Sequence, residues 1–211
     1  MATSENLQTL TPHIIFTSDW SIGSTTERTG GGVWSTAVLL THYFLSHPTT
    51  FNRALSNKNA LELGSGNGYL SVVLGSVVKD VNIVCTDTPE HLGLMNKTLD
   101  DNCKILENPD RTINVKSLMW GEDNLNEKFD FIFGTDVVYR DFLYHPFLTC
   151  LTHHLSKNGT ALVGICMTDT TKEFFPICKS YGFRYQRVGD EKGCDGMRGV
   201  TFGLFVIEWK V

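Results

Sequence analysis

The chain has 211 residues, of which 41% are hydrophobic and 19% are charged, with a formal net charge of −5. This length suits one compact α/β domain with a full core and is short for two, so we expect a single domain over residues 1–211. The scattered Lys and Arg residues form no basic stripe for a phosphate backbone, which disfavours nucleic acid and favours a cationic partner.

The first elements form an N-terminal extension, residues 1–32. Within it, residues 13–16 (HIIF) predict a short strand, and the stretch rich in Gly, Thr and Ser at residues 21–32 predicts a turn. Residues 33–45 then predict an apolar helix, which opens a core domain over residues 33–211.

The core alternates strands and helices. Strands are predicted at residues 60–63, 81–86, 113–118, 129–134 and 160–167, and helices at residues 69–77, 89–102, 141–155 and 170–181. Alternation of this kind predicts right-handed βαβ units and a mostly parallel sheet with helices on both faces.

The C-terminal part breaks this alternation. Strands predicted at residues 183–188 and 200–209 are separated only by the polar loop 189–199, which has no room for a crossover helix. The two strands should therefore pair antiparallel. The result is a seven-stranded layout that differs from the all-parallel dinucleotide fold. We expect this loop to be a solvated hairpin tip, and the alternative is that it contacts a basic substrate.

The segment ELGSGNG at residues 62–68 occupies a predicted strand-to-helix turn. Its glycines, Gly64, Gly66 and Gly68, permit positive φ and let a nucleoside ligand approach the backbone. Their spacing is not the Gly-x-Gly-x-x-Gly of dinucleotide turns. The preceding Glu62 would repel a pyrophosphate but could receive an amino acid ammonium. This favours S-adenosylmethionine over NAD, with a ligand-free structural turn as the alternative.

Two further strand ends carry acidic residues. Asp87 ends the next strand about twenty residues after the turn, where a carboxylate can accept ribose hydroxyls. Asp87 or Thr88 could also cap the following helix, which is compatible with ribose binding.

Asp136 and Tyr139 follow the strand at 129–134, at the edge where α/β sheets bind ligands. The alternative there is a buried strand followed by a cap for the helix that begins near Asp141.

Together these motifs resemble the family 16 seven-β-strand methyltransferases, a group rich in protein lysine methyltransferases. The resemblance rests on ELGSGNG, Asp87, LMWG at residues 118–121, FDFIFGTDVVY at residues 129–139, and Gly30 at the matching distance before Trp34. It implies a Rossmann-like α/β methyltransferase fold that binds S-adenosylmethionine and releases S-adenosylhomocysteine. The candidate cofactor-binding residues are Trp34, Glu62, Gly64, Ser65, Gly66, Gly68, Asp87, Trp120 and Thr135.

The resemblance also places Asp136 and Tyr139 near the methyl acceptor. We expect Asp136 to orient an amine through a hydrogen bond and Tyr139 to shape the acceptor channel. The segment Thr135 to Tyr139 lacks the two prolines of methyltransferases that act on exocyclic amines of nucleobases or on glutamine. The predicted function is therefore lysine methylation of a protein. Alternatives are a small-molecule N-methyltransferase, a non-catalytic cofactor-binding scaffold and, last, an NAD oxidoreductase.

Cysteine and histidine patterns favour packing over metal binding. No Cys-x-x-Cys pair occurs, and Cys85, Cys150, Cys166 and Cys178 lie in apolar segments, which is typical of reduced core thiols. The adjacent His153 and His154 diverge by about 100° on a helix and make poor joint ligands, so we expect surface or partly packed rings and no metal.

No apolar run reaches the length of a membrane span, and the first twenty residues do not resemble a secretory signal. We therefore expect a cytoplasmic protein, or a nuclear one, without a membrane partner. A monomer is the default expectation.

Overall fold

The computed structural model describes residues 9–22, 31–108, 112–188 and 201–210. Its centre is one seven-stranded sheet in the order β3-β2-β1-β4-β5-β7-β6. The strands are β1 Asn59–Leu63, β2 Asn82–Asp87, β3 Thr112–Ser117, β4 Phe129–Thr135, β5 Leu155–Cys166, β6 Phe183–Val188 and β7 Phe202–Trp209. The first five pair in parallel, and β7 pairs antiparallel with both β5 and β6. The predicted seven-stranded layout is confirmed.

The helices flank this sheet on both faces. They are α1 Ser35–Ser46, α2 Pro48–Leu55, α3 Tyr69–Val77, α4 Leu92–Asp101, α5 Tyr144–His154 and α6 Phe174–Ser180, and single 3₁₀ turns at Pro89–His91 and Asp141–Leu143 lead into α4 and α5. Side chains alternate across the strands, so Ala60 joins the core under α1 to α3, whereas Leu61 and Leu63 join the core under α5 and α6.

Two parts of the secondary structure differ from the prediction. Residues 13–16 are not a strand, because the backbone of Ile15 exchanges hydrogen bonds of 2.9 and 2.6 Å with the Asn102 side chain instead of joining the sheet. Helix α2 was not predicted, since only Phe51 and Leu55 are buried in a short, otherwise polar segment. Its Pro48 at the first helical position suits a helix start.

The predicted position of His154 was wrong. Its side chain is fully buried, not on the surface or partly packed. Its Nδ1 lies 2.7 Å from the Cys150 carbonyl, and the Leu125 amide donates to its Nε2 at 3.1 Å. One ring nitrogen therefore donates and the other accepts, and burial lowers the pKa of His154, which favours this neutral form.

The cysteine prediction holds where the structure describes the residues. The four cysteines in apolar segments are buried free thiols, and burial raises the pKa of Cys150 to about 12. The predicted loop 189–199 and Gly30 lie outside the described residues.

Gly164 on β5 sets how closely α1 approaches the sheet. A Cβ at Gly164 would lie 2.9 Å from side-chain atoms of both Thr36 and Thr135. Thr36 is in the first turn of α1 and Thr135 ends β4, so the missing side chain lets the N-terminus of α1 reach the carboxyl end of the sheet.

We predict that Gly164→Ala lowers the free energy of unfolding by about 1–3 kcal/mol, because the new methyl group overpacks this contact. Gly93→Ala is the matched control, since no described residue outside its own helix backbone lies within 4 Å of its Cβ position on α4, and alanine favours helix by up to about 1 kcal/mol. Urea unfolding of both variants measures the difference. Equal midpoints for Gly164→Ala and the parent chain would contradict the overpacking.

Candidate functional site

A cavity of about 770 Å³ lies at the carboxyl ends of β1, β2 and β4. Its walls are the loops that follow these strands and β3, together with the segment that leads into α1. This volume is within the usual range of about 300–1,000 Å³ for ligand pockets, and the position is the usual one in α/β sheets.

The cavity brings together all but one of the residues singled out from the sequence. Its lining contains Trp34, Glu62, Gly64, Ser65, Gly66, Asp87, Trp120, Thr135, Asp136 and Tyr139. Gly68 is outside the lining. It precedes α3 with φ +78°, and its Cβ position faces Met95 and Cys85 instead, so Gly68 serves the conformation of the turn.

The glycine turn needs glycine for both backbone and space. Gly64 and Gly66 have φ of +67° and +58°, in the left-handed region that favours glycine. A Cβ at Gly64 would lie 2.9 Å from Val137 and 3.3 Å from the Trp120 ring. Side chains from two other loops therefore pack closely against the turn backbone, and Gly64, Trp120 and Val137 all line the cavity.

Hydrogen bonds join the glycine turn to the end of β2. Ser65 and Thr86 exchange two hydrogen bonds, the Ser65 amide to the Thr86 carbonyl at 2.9 Å and the Thr86 amide to Ser65 Oγ at 3.0 Å. The Gly66 amide donates to Asp87 Oδ2 at 2.7 Å. The acidic residue at the end of β2 thus holds the glycine turn as well as lining the cavity.

Asp87 has further partners that fix its carboxylate. Its Oδ1 accepts from the Thr88 amide at 2.7 Å and lies 3.1 Å from His91 Nδ1. Burial raises the pKa of Asp87, and the nearby His91 opposes that rise. His91 also lines the cavity and was not singled out from the sequence, although its position four residues after Asp87 was a usable signal.

Glu62 is almost completely buried under the glycine turn. The Ser71 hydroxyl of α3 donates to Glu62 Oε2, and the Cys85 thiol lies 3.7 Å from the same oxygen. Burial raises the pKa of Glu62 to about 8. A cation bound beside this carboxyl group would favour its ionised form, so the site suits an ammonium group rather than a phosphate.

The N-terminal segment, residues 9–22, packs against residues that line one side of the site. The Asn67 side chain donates to the Thr17 carbonyl at 3.0 Å, which ties residues 9–22 to the glycine turn. Trp20 packs edge to face on Trp34, with ring centroids 5.5 Å apart. Gly32 is required there, because a Cβ would lie 2.1 Å from the Trp20 ring. The predicted extension therefore supports the wall at Trp34, and its last residue, Gly32, belongs to the lining.

Trp120 forms the facing aromatic part of the cavity. It follows β3, and its ring packs edge to face on Phe147 with centroids 5.6 Å apart. Trp120 is only partly buried, so part of its surface is available to a ligand. An indole held in this way can stack on a planar heterocycle.

Asp136 is held at the other end of the cavity by α1. Its backbone is left-handed with φ 55°, and its amide donates to the Gly164 carbonyl at 2.9 Å. Its Oδ2 accepts from the Thr36 hydroxyl at 2.5 Å and from the Thr36 amide at 3.2 Å. Asp136 therefore caps α1 and not the helix near Asp141, where Arg140 is the N-cap residue.

Burial raises the pKa of Asp136 to about 6, while the bonds from Thr36 oppose the rise and the charge of Asp169 adds to it. Asp169 lines the cavity and was not singled out from the sequence. No sequence pattern linked Asp169 or Thr36 to Asp136, because both contacts join distant parts of the chain.

The cavity reaches the surface at this end. Arg140 and Asp169 are exposed, and Phe142 is 61% exposed, yet all three belong to the lining. Tyr139 is half-buried, and the Arg140 guanidinium lies 5.5 Å from the centre of its ring. A group from solution can therefore approach Asp136 past aromatic and charged side chains.

Within the described ranges, no cluster of three or more His, Cys, Asp or Glu side chains could hold a metal ion. None of the helices in that part of the chain is long and apolar enough to cross a membrane.

The buried Glu62 predicts how stability depends on pH. Because its pKa is raised from 4.5 to about 8, the folded chain keeps a proton that the unfolded chain releases, so this contribution to stability is lost as pH rises from about 4.5 to 8. Glu62→Gln cannot ionise, so we expect it to gain stability relative to the parent chain between pH 5 and pH 8. Urea unfolding at both pH values measures this, with the exposed Glu107→Gln as control. Parallel pH dependence of parent and Glu62→Gln would rule out the raised pKa.

Comparison with known sequences identifies relatives. A family model described as lysine methyltransferase matches residues 20–180. The chain is 32% identical over 147 residues to protein-lysine methyltransferase METTL21E from Mus musculus, covering 64% of this chain and 54% of that protein. It is 26% identical over 159 residues to protein N-terminal and lysine N-methyltransferase EFM7 from Candida glabrata, covering 69% of this chain and 62% of that protein. The chain thus spans 54–62% of the length of these two curated relatives.

Solved structures share the fold. Ribosomal protein L11 methylase from Lactobacillus delbrueckii superposes with a TM-score of 0.61 at 16% identity, covering 86% of this chain and 82% of that chain. A TehB-like methyltransferase from Corynebacterium glutamicum gives a TM-score of 0.55 at 17% identity, covering 86% and 90%. The fold is that of the Rossmann-like class I methyltransferases. With the match over residues 20–180, the chain belongs to the lysine methyltransferase family.

Proposed function

We propose that this chain is an S-adenosylmethionine-dependent N-methyltransferase that methylates a lysine side chain of a protein. The observation that carries the proposal is a single cavity with two ends. The glycine turn, Glu62 and Asp87 lie at one end, and Asp136 and Tyr139 lie at the other, beside the exposed side chains of Arg140 and Phe142. Membership of the lysine methyltransferase family supports the same reaction.

The cofactor end fits an adenosyl amino acid. A carboxylate has about four acceptor positions, and Gly66, Thr88 and His91 use about three of those on Asp87, which leaves room for a ribose hydroxyl. Glu62 is placed to balance the charge of the amino acid ammonium, and the Trp120 ring to stack on adenine. When bound, S-adenosylmethionine would supply a methyl group activated by its sulfonium.

Methyl transfer requires that the lysine amine of the substrate be neutral when it reaches the acceptor end. A lysine amine has an ordinary pKa of about 10.4, so little of it is neutral at pH 7. Tyr139 and the buried Val137 line the cavity beside Asp136, and burial of an amine against such side chains lowers its pKa. Asp136 then accepts a hydrogen bond from the amine and orients it for in-line transfer.

The open acceptor end favours a protein over a small molecule. A site for a metabolite is usually enclosed, whereas Arg140, Phe142 and Asp169 line this cavity and are exposed. The net charge of −5 suits a basic protein segment better than a nucleic acid. Small-molecule methylation and a non-catalytic cofactor-binding role remain the alternatives to be tested. Cytoplasmic or nuclear location, a monomeric state, and the absence of nucleic acid and membrane partners stay predictions.

The ribose assignment predicts weaker binding when Asp87 is removed. We expect Asp87→Ala to bind S-adenosylhomocysteine about 10–100-fold more weakly, because a charged hydrogen bond contributes about 1.5–3 kcal/mol. Isothermal titration calorimetry measures the affinity, and circular dichroism checks that the variant is folded. Asp101→Ala is the control, since Asp101 pairs with Lys97 on α4 outside the cavity. Unchanged affinity in Asp87→Ala would contradict the ribose contact.

The reaction itself is tested by transfer of labelled methyl groups from S-adenosylmethionine to a cell extract. We expect a labelled protein band that yields methyllysine on hydrolysis, and the labelled protein then serves as substrate. Label in nucleic acid or in small molecules would favour another acceptor. No label in any fraction would support the non-catalytic alternative.

With that substrate, Asp136→Asn should lower the methyl-transfer rate about 10–100-fold, since a neutral amide accepts the amine hydrogen bond less strongly. An amide oxygen can still accept from Thr36, so the cap on α1 is kept. Affinity for S-adenosylhomocysteine should stay within about twofold. Asp141→Asn is the control, because Asp141 is exposed and outside the cavity lining. Transfer by Asp136→Asn at the parent rate would show that Asp136 does not orient the amine.

A further inference from the structure

The carboxylate at the acceptor end depends on a residue far away in sequence. Both the hydroxyl and the amide of Thr36, 100 residues away in sequence, donate hydrogen bonds to it. We propose that Thr36 is the positioning residue that fixes the Asp136 carboxylate at the acceptor end of the cavity. The catalytic consequence rests on the proposed methyl transfer, while the positioning itself does not.

The geometry gives one carboxylate oxygen two donors. Both the hydroxyl and the amide of Thr36 point to Oδ2 of Asp136, at 2.5 and 3.2 Å. Thr36 is fully buried on the first turn of α1, and its branched side chain has few rotamers there. The N-cap residue Trp34 makes no side-chain capping bond, so the carboxylate of Asp136 supplies the cap from another loop. The positive end of the helix dipole also favours the charged carboxylate.

Gly164 completes the arrangement from β5. Its missing side chain is what lets Thr36 approach, and its carbonyl accepts the Asp136 amide at 2.9 Å. The left-handed backbone of Asp136 is thereby held from both sides. Residues on α1, β5 and the loop after β4 therefore fix one orientation of the carboxylate, while Thr36 is absent from the cavity lining itself.

In addition to its bonds from the uncharged Thr36, Asp136 shares the cavity lining with several ionisable side chains. Asp169, in the segment after β5, raises its pKa, and Arg140 and Tyr139 belong to its own loop. Titratable side chains elsewhere in the cavity lining are Glu62, Tyr69, Asp87, Glu90, His91 and Glu122. Burial raises the pKa of Asp136 to about 6 and the Thr36 bonds oppose that rise, so loss of the hydroxyl should raise the pKa further.

The consequence concerns activity near neutral pH. With Thr36 in place, Asp136 is mostly ionised at pH 7 and can accept a hydrogen bond from an amine. Without the hydroxyl, a larger fraction of Asp136 would carry a proton, and the carboxyl group would lose its fixed orientation. Methyl transfer should then fall most at low pH and recover as pH rises.

The first test needs no substrate. Carbon-13 NMR of aspartate carboxyl groups follows the titration of Asp136 in the full chain, with the signal assigned from Asp136→Asn. We expect the midpoint to rise by about one pH unit in Thr36→Val, since a hydrogen bond to a charged group contributes at least that much. Thr36→Ser keeps the hydroxyl and should restore the parent midpoint.

Thr98→Val is the matched control. Thr98 is also fully buried on a helix, but its hydroxyl has no hydrogen-bond partner among the residues that the structure describes, so its loss should leave the Asp136 midpoint unchanged. If Thr36→Val does not fold, Thr36→Ala carries the same prediction. An Asp136 midpoint that is the same in parent and Thr36→Val or Thr36→Ala overturns the proposal.

The second test uses the methylated protein found in the extract. The acidic limb of the pH profile of kcat/KM should move upward by about one unit in Thr36→Val and return in Thr36→Ser. An unshifted limb in an active Thr36→Val overturns the catalytic role of Thr36. If the parent chain transfers no methyl group, the proposed function fails, and the NMR titration still decides whether Thr36 positions Asp136.

Discussion

The hydrogen bond from the Gly66 amide to the Asp87 carboxylate is the contact on which the cofactor end of the cavity depends. It joins the turn after β1 to the end of β2, and the paired bonds between Ser65 and Thr86 reinforce it. With the turn fixed, Gly64 can lie against Trp120 without a Cβ between them. One buried acidic residue thus shapes the wall that an adenosyl ligand would contact.

The acceptor end also depends on a long-range hydrogen bond to a carboxylate, but the role of the carboxylate is reversed. There the carboxylate of Asp136 does not organise a glycine turn but is itself held by the first turn of α1, through Thr36. This contact requires glycine at position 164, because any side chain there would clash with Thr36. Both ends of the cavity therefore combine a partly buried carboxylate, a backbone amide and a glycine without space for a Cβ.

Local patterns in the sequence predicted the sheet, its antiparallel end and the main polar and aromatic residues of the cavity lining, because these follow from hydrophobic periodicity and from residues at strand ends. They could not predict the bond between Thr36 and Asp136, which depends on how closely α1 packs on β5. They also missed His154, whose burial depends on an amide from another loop, Leu125. Helix α2 has too few apolar residues for its period to be recognised.

The most direct test of this account is a crystal structure of the chain with S-adenosylhomocysteine. The account predicts the ligand in the cavity, with a ribose hydroxyl within hydrogen-bond distance of Asp87, the amino group on the side of Glu62 and the sulfur facing Asp136. A ligand bound elsewhere, or one whose ribose makes no contact with Asp87, would contradict it.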